Sequence, residues 1–215
     1  MTLRVGRYEW VGGVEAMLRF GPDHGPTLLC AAPLFEEANR TRAAIVDVLR
    51  SLATRGIASA LPDLPGTGES LLPTPEATLA GWRQAFAAAA RALPDPVSVM
   101  AWRGGALVTV DVAGPRWHLS PLSGAEVMRD LRRTRGAGET QLLAGNDLSG
   151  ELVAELESAA PPAATRTVRL DTDPRLADLK LPGRPLWRAA EPGTDAALQA
   201  AIADDLACWI AACAS

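Results

Sequence analysis

A doubly wound α/β fold, with a mostly parallel sheet behind an N-terminal antiparallel hairpin, is predicted by three features of the 215-residue chain. From Thr27 onward, short apolar runs alternate with amphipathic segments, the pattern of strands covered on both faces by their connecting helices. Residues 3–10 and 13–20 alternate polar and apolar side chains around Gly12-Gly13, which reads as a hairpin. The β-branched run Val97-Ser98-Val99-Met100-Ala101 then meets a turn with small residues on both sides of Arg103, and an Ala-rich apolar segment follows. With 48% apolar residues, a chain of this length can bury one good core, so residues 1–215 are expected to form a single domain.

The elements follow in order. Thr27 to Cys30, within Pro26–Ala32, is a buried-strand run. A helix is predicted from about Arg40 to Arg55, with Ile45, Val48, Leu49 and Leu52 as its inner stripe and Gly56 as its stop. Ile57 to Leu61 is a second buried strand, leading into Asp63-Leu64-Pro65-Gly66-Thr67-Gly68-Glu69-Ser70. Thr74-Pro75 has the form of a cap and first-turn proline, and Leu79, Trp82, Phe86 and Leu93 mark the buried face of the helix it would open. A strand at 97–101, a helix at about 104–113 and a short strand from Arg116 to Leu119, ending at Ser120-Pro121, come next.

Residues 122–164 change character and read as a short insertion or lid. Two amphipathic segments, Ala125–Arg133 and Gly150–Ser158, flank Gln141-Leu142-Leu143-Ala144-Gly145. Thr167–Leu170 and Pro185–Arg188 have the composition of two further strands, and Thr194 can cap a final helix from Asp195 to about Ala212.

Charge and composition narrow the function classes. A net charge of −4 argues against nucleic acid or anionic lipid as a partner. The densest basic stretch, Arg129 to Arg135, has the spacing of a solvated helix end. Cys30, Cys208 and Cys213 leave one cysteine over from any pairing and lack metal-ligand spacing, which suits a reducing compartment. The first residues lack the apolar core of a secretory leader, and no run of 18 or more purely apolar residues occurs. A cytoplasmic protein without membrane insertion is therefore expected. No cofactor is expected either: Gly66-x-Gly68 lacks the third glycine of a dinucleotide fingerprint, and no Walker lysine pattern exists.

The order hairpin, strand, helix, Asp63-x-x-Gly66-x-Gly68-x-Ser70 loop, helix, tight turn at Ala101–Gly105, lid, strands and terminal helix resembles the α/β-hydrolase superfamily over nearly the whole chain. Two stretches, Ala32-Pro33-Leu34-Phe35-Glu36-Glu37-Ala38-Asn39-Arg40-Thr41-Arg42 and Pro185-Leu186-Trp187-Arg188-Ala189-Ala190-Glu191-Pro192-Gly193, are similar to the exosortase A system-associated hydrolase group, type 2. That resemblance implies a bacterial protein linked to exopolysaccharide and protein-sorting systems. Members of the group tend to lack serine at the turn, so the name there follows fold rather than activity.

A hydrolase of this fold places its nucleophile in a small-x-nucleophile-x-small turn, here Ala101-Trp102-Arg103-Gly104-Gly105. The nucleophile position holds Arg103, and a guanidinium cannot attack a carbonyl. The loop that would supply the base, Glu191 to Asp195, contains no histidine. Of the two histidines, His24 lies in a turn ahead of a strand and His118 inside a short strand. The position after Leu170 offers Asp171 or Asp173, each equally a strand-end carboxylate. Ser70 reads as a brace for its loop, Ser120 as a turn residue, and Cys30 as a buried inert thiol.

An arginine at a strained helix-start turn calls for compensation by carboxylates or by an anionic ligand. Glu36, Glu37 and Glu191 are expected to converge on Arg103, with Asp171 and Trp102 as further pocket candidates. The other source is a carboxylate, phosphate or sulfate gripped by Arg103 and the N–H groups of Gly104 and Gly105. The expected function is a protein without a serine-hydrolase triad that binds a small anionic or acyl ligand or a protein partner. The alternative is an active ester or thioester hydrolase, or an acyltransferase, in which Glu191 or Asp171 activates water.

Overall fold

A computed structural model describes residues 3–133, 143 and 145–213. Its sheet has eight strands: β1 (Arg4–Trp10), β2 (Gly13–Phe20), β3 (Thr27–Ala31), β4 (Ala58–Pro62), β5 (Val97–Trp102), β6 (Arg116–Leu119), β7 (Arg166–Leu170) and β8 (Leu179–Leu181). Their spatial order is β1-β2-β4-β3-β5-β6-β7-β8. The β1–β2 hairpin pairs antiparallel and joins β4 antiparallel, while every pairing from β4 to β8 is parallel.

The helices are α1 (Glu36–Thr54), α2 (Leu79–Arg91), α3 (Gly124–Arg133), α4 (Gly150–Ser158) and α5 (Ala196–Cys213). Because strand side chains alternate, the sheet feeds two cores. Leu29, Ala31, Val99 and Ala101 pack against α2, α3 and α4, whereas Leu28, Cys30, Met100 and Trp102 pack against α1 and α5. The chain leaves β3 towards β4 on one side and returns through α2 to β5 on the other. The carboxyl ends of β3 and β5 therefore form the switch point at which such sheets expose a crevice.

The doubly wound sheet and its hairpin match the sequence expectation, and several local boundaries differ. Helix α1 starts at Glu36, four residues before Arg40, because Phe35 turns the chain sharply at φ 58° and Glu36 and Glu37 suit a helix N-terminus. Thr74–Glu76 is only a 3₁₀ turn, and the cap of α2 is Thr78, whose Oγ1 accepts from the Gly81 N–H. The segment expected as a helix at 104–113 is a 3₁₀ turn over Arg103–Val108. Gly104 and Gly105 are poor helix formers, and Val108-Thr109-Val110 is β-branched, so the turn does not propagate. Pro185–Arg188 is not a strand: Leu186–Arg188 makes a 3₁₀ turn, and the eighth strand is the polar-looking Leu179-Lys180-Leu181. Asp195, not Thr194, caps α5 by accepting from the Leu198 N–H.

Helices α3 and α4 of the 122–164 segment are built into the fold. Val127, Met128, Leu131, Leu152 and Leu156 are buried in the core beside α2. The Glu155 carboxylate accepts from the Leu79 and Ala80 N–H groups at the start of α2. The end of the basic stretch (Thr134, Arg135) and Gln141, Leu142 and Ala144 lie outside the described residues. Helix α5 is long and apolar enough to cross a membrane by composition alone. It nevertheless buries Leu198, Ile202, Leu206 and Ile210 in the core, and its Asp205 accepts from Trp117 Nε1 and pairs with Arg166.

Candidate functional site

The β5 strand ends at Trp102 and the chain reverses at Arg103, which has φ 55°. A non-glycine residue there carries roughly 1–3 kcal/mol of backbone strain. Small neighbours make the turn fit. Ala101 is fully buried, and a Cβ on Gly105 would lie 2.2 Å from the Ala32 carbonyl oxygen. The turn is thus seated on the end of β3, beside the first turn of α1.

Glu37 reaches Arg103 from that first turn. Arg103 Nε donates to Glu37 Oε2 at 3.1 Å and Nη2 to Oε1 at 3.0 Å, a two-pronged pair. The Asp130 carboxylate of α3 lies 3.6 Å from Nη2, and the guanidinium carbon stands 4.8 Å from the centroid of the Trp187 ring. Arg103 is 3% exposed. Burial raises the pKa of Glu37, and the Arg103 hydrogen bonds and charge act in the opposite direction. A cavity of about 360 Å³ opens over this cluster, with Leu122, Val127, Leu131 and Trp187 as apolar wall and Arg40, Arg133 and Arg188 at its polar rim.

The expected convergence of three glutamates on Arg103 is realised by Glu37 alone. Glu36 lines the same cavity but accepts from Asn146 Nδ2. Glu191 is exposed and makes no ion pair among the described residues. Asp171 is exposed as well, and Trp102 is fully buried against the α1–α5 core, away from the cavity. Gly104 lines the cavity, whereas Gly105 is buried against β3. An anion taken by Arg103 would find its Nε and Nη2 groups already held by Glu37.

Sequence reasoning missed Asp130 and Trp187. Asp130 stands three residues after Val127 and one before Leu131, at the edge of the buried stripe of α3, and that spacing is the signal that could have found it. Asp173, rather than Asp171, is the engaged carboxylate after β7. Hydrogen bonds from Arg175, joined by Arg169, hold it well below the usual carboxylate range.

Ser70, Cys30, His24 and His118 are engaged structurally or placed elsewhere, whereas Ser120 is buried with its Oγ unpartnered and lines a cavity that Arg103 also borders. Ser70 Oγ accepts from the Gly66 and Leu72 N–H groups and braces its loop. The Cys30 thiol is fully buried, and burial pushes its pKa up. His24 is exposed in the turn before β3, at the end of the sheet opposite the cavity. His118 is 1% exposed within β6, with Nε2 unpartnered, and burial reinforced by Arg116 pushes its pKa down to about 4.

A histidine depressed in the folded state takes up its proton more readily when unfolded. Its stabilising contribution is complete above its ordinary value of 6.5 and is lost as the pH falls towards about 4. The expected slope approaches about 1.4 kcal/mol per pH unit in that window. Urea denaturation at pH 7.5 and 4.5 should show a smaller acid loss for His118→Leu than for the wild type. An equal loss in both would remove His118 from the account of acid sensitivity.

Strand order, elbow and crevice together decide the architecture. The chain has the α/β-hydrolase fold. It is similar to a serine hydrolase without a lid from Xanthomonas campestris, at TM-score 0.60 and 14% identity over 97% of this chain and 95% of that one. It is also similar to a protein from Agrobacterium vitis S4 described as a hydrolase, at TM-score 0.57 and 12% identity over 94% and 97%. The chain spans about half the length of the Vigna radiata epoxide hydrolases it also matches, one of them at TM-score 0.46 and 19% identity over 61% of this chain and 47% of that one. No protein-family model matches the chain, and no curated protein matches it in sequence.

Proposed function

We propose that this α/β-hydrolase-fold protein is a binding protein rather than a catalyst, and that the cavity bordered by Glu37, Asp130 and Trp187, the partners of Arg103, takes a small acyl ligand. The observation that carries the reading is the Arg103–Glu37 pair, which fills the strained elbow with a fixed charge instead of a nucleophile. Neither histidine borders the cavity, and the loop after β8 offers as carboxylate bases only the exposed Glu191 and Asp195, which caps α5. Nothing favours Glu191 or Asp171 as a water-activating base, since both are exposed and outside the cavity wall. The apolar wall from Leu122 to Leu131 suits a short acyl chain, and Arg133 and Arg188 at the rim suit its carboxylate or another anionic head. The resemblance of Ala32–Arg42 and Pro185–Gly193 to the exosortase A system-associated group supports reading this binding as part of bacterial exopolysaccharide or protein-sorting physiology in the cytoplasm.

Titration calorimetry with linear carboxylates from butanoate to decanoate tests the reading. Each methylene that enters an apolar wall contributes about 0.8 kcal/mol, so affinity should rise roughly fourfold per carbon until the cavity is full. An affinity that does not depend on chain length, or no binding across the series, would overturn it.

A further inference from the structure

A second cavity lies on the other side of Arg103, between the ends of β6 and β7, the 3₁₀ turn at Leu186–Arg188, and α3. It has a volume of about 370 Å³ and is lined by four arginines, Arg103, Arg129, Arg175 and Arg188, with Glu126, Asp173 and Ser120. The carboxylates there are largely committed. Asp173 and Glu126 hold Arg175 at 2.8 and 3.1 Å. Arg129 is left with a Glu126 oxygen 3.8 Å away, and Arg188 has no ion pair among the described residues. Arg103 lines the cavity too, and its Nη1 is the guanidinium nitrogen that the Glu37 hydrogen bonds and the Asp130 ion pair leave. The wall is therefore positive.

Ser120 gives the second observation. It sits at the carboxyl end of β6 with φ 47°, a conformation that costs a non-glycine residue energy. It is 1% exposed, and its Oγ has no hydrogen-bond partner. A hydroxyl buried without a partner destabilises the fold, so strain and an unmet hydrogen bond fall on the same cavity-lining residue.

From this we infer that the cavity is a binding site for a small molecule bearing a tetrahedral oxyanion, a phosphate or phosphate monoester. Guanidinium groups from three separate places, the turn after β5, α3 and the turn after β8, and a hydroxyl just beyond β6 surround one space. A tetrahedral group with several acceptor oxygens can answer donors from that many directions, whereas a planar carboxylate answers a fork from one side. The site is distinct from the acyl cavity, although Trp187 and Arg188 border both.

The test is titration calorimetry of the full chain with inorganic phosphate and with glycerol phosphate, at constant ionic strength set by sodium chloride. Saturable binding is expected, weakened at least tenfold by Arg129→Gln and by Ser120→Ala and unchanged by Arg91→Gln on the far helix. Arg129 is exposed, so its variant keeps the test valid if Ser120→Ala does not fold. Absence of binding, or binding that all three variants share equally, would overturn the site and leave only nonspecific anion association. These ligands carry no acyl chain, so the outcome is independent of the carboxylate series.

Discussion

Replacing Glu37 with alanine is expected to destabilise the protein by about 3–5 kcal/mol, because it strands the Arg103 guanidinium in a site that is 3% exposed. The Asp130 oxygen, at 3.6 Å from Nη2, recovers only a fraction of the lost pairing. The reciprocal change, Arg103→Met, leaves Glu37 less costly, since its side chain is 21% exposed and its raised pKa lets it become neutral. The double variant Arg103→Met with Glu37→Ala should recover much of the loss, because removing both charges also removes their desolvation cost. Urea midpoints of the four proteins give the coupling directly. A Glu37→Ala loss below about 1 kcal/mol, the range of exposed ion pairs, would mean that the pair does not hold the elbow.

Gly105→Ala is the second large effect. Its new Cβ would stand 2.2 Å from the Ala32 carbonyl oxygen and 2.6 Å from that of Ala31, and both obstacles are backbone. The turn must lift off β3, which breaks the contact that brings Arg103 to Glu37. The expected cost is about 3 kcal/mol, the upper end of overpacking effects, read as a drop in thermal midpoint. Gly145→Ala is a contrast with no atom near its new Cβ, although its φ of 78° still adds strain. A Gly105→Ala protein as stable as the wild type would show that the turn is not seated as described.

The same glycine explains why the fold was readable. A sharp strand-to-turn reversal demands small residues where the backbone meets its neighbour, and Ala101 and Gly105 carry that demand into the sequence. Glu37 was also legible, because the segment just beyond β3 lies beside the neighbouring β5 elbow in a sheet of this winding. Glu191 misled for the converse reason: nothing in an exposed Pro-Gly loop specifies where its side chain points. Strand β8 escaped because three residues with a central lysine lack a pattern, and the apolar Pro185–Trp187 run beside it looked more like a strand. Its apolar character instead reflects the burial of Leu186 and the place of Trp187 over Arg103. Ser120 was invisible as anything beyond a turn residue, since its backbone conformation and unmet hydroxyl arise only from the packing of β6 against β7.

The elbow of an α/β-hydrolase fold is a position where strain is held in place by the surrounding sheet, and in enzymes that strain presents a nucleophile. Here it presents a cation fixed by Glu37, Asp130 and Trp187, and two cavities flank it. The fold supplies the crevice, and the proposed function assigns the residues in it to binding.

The most direct test is turnover by the purified protein on a panel of short-chain esters, thioesters and lactones, run beside Arg103→Ala. Rates no higher than those of buffer are expected for both proteins. Turnover by the wild type that disappears in Arg103→Ala would contradict the central claim, because it would make the elbow arginine part of a reaction rather than the fixed half of an ion pair.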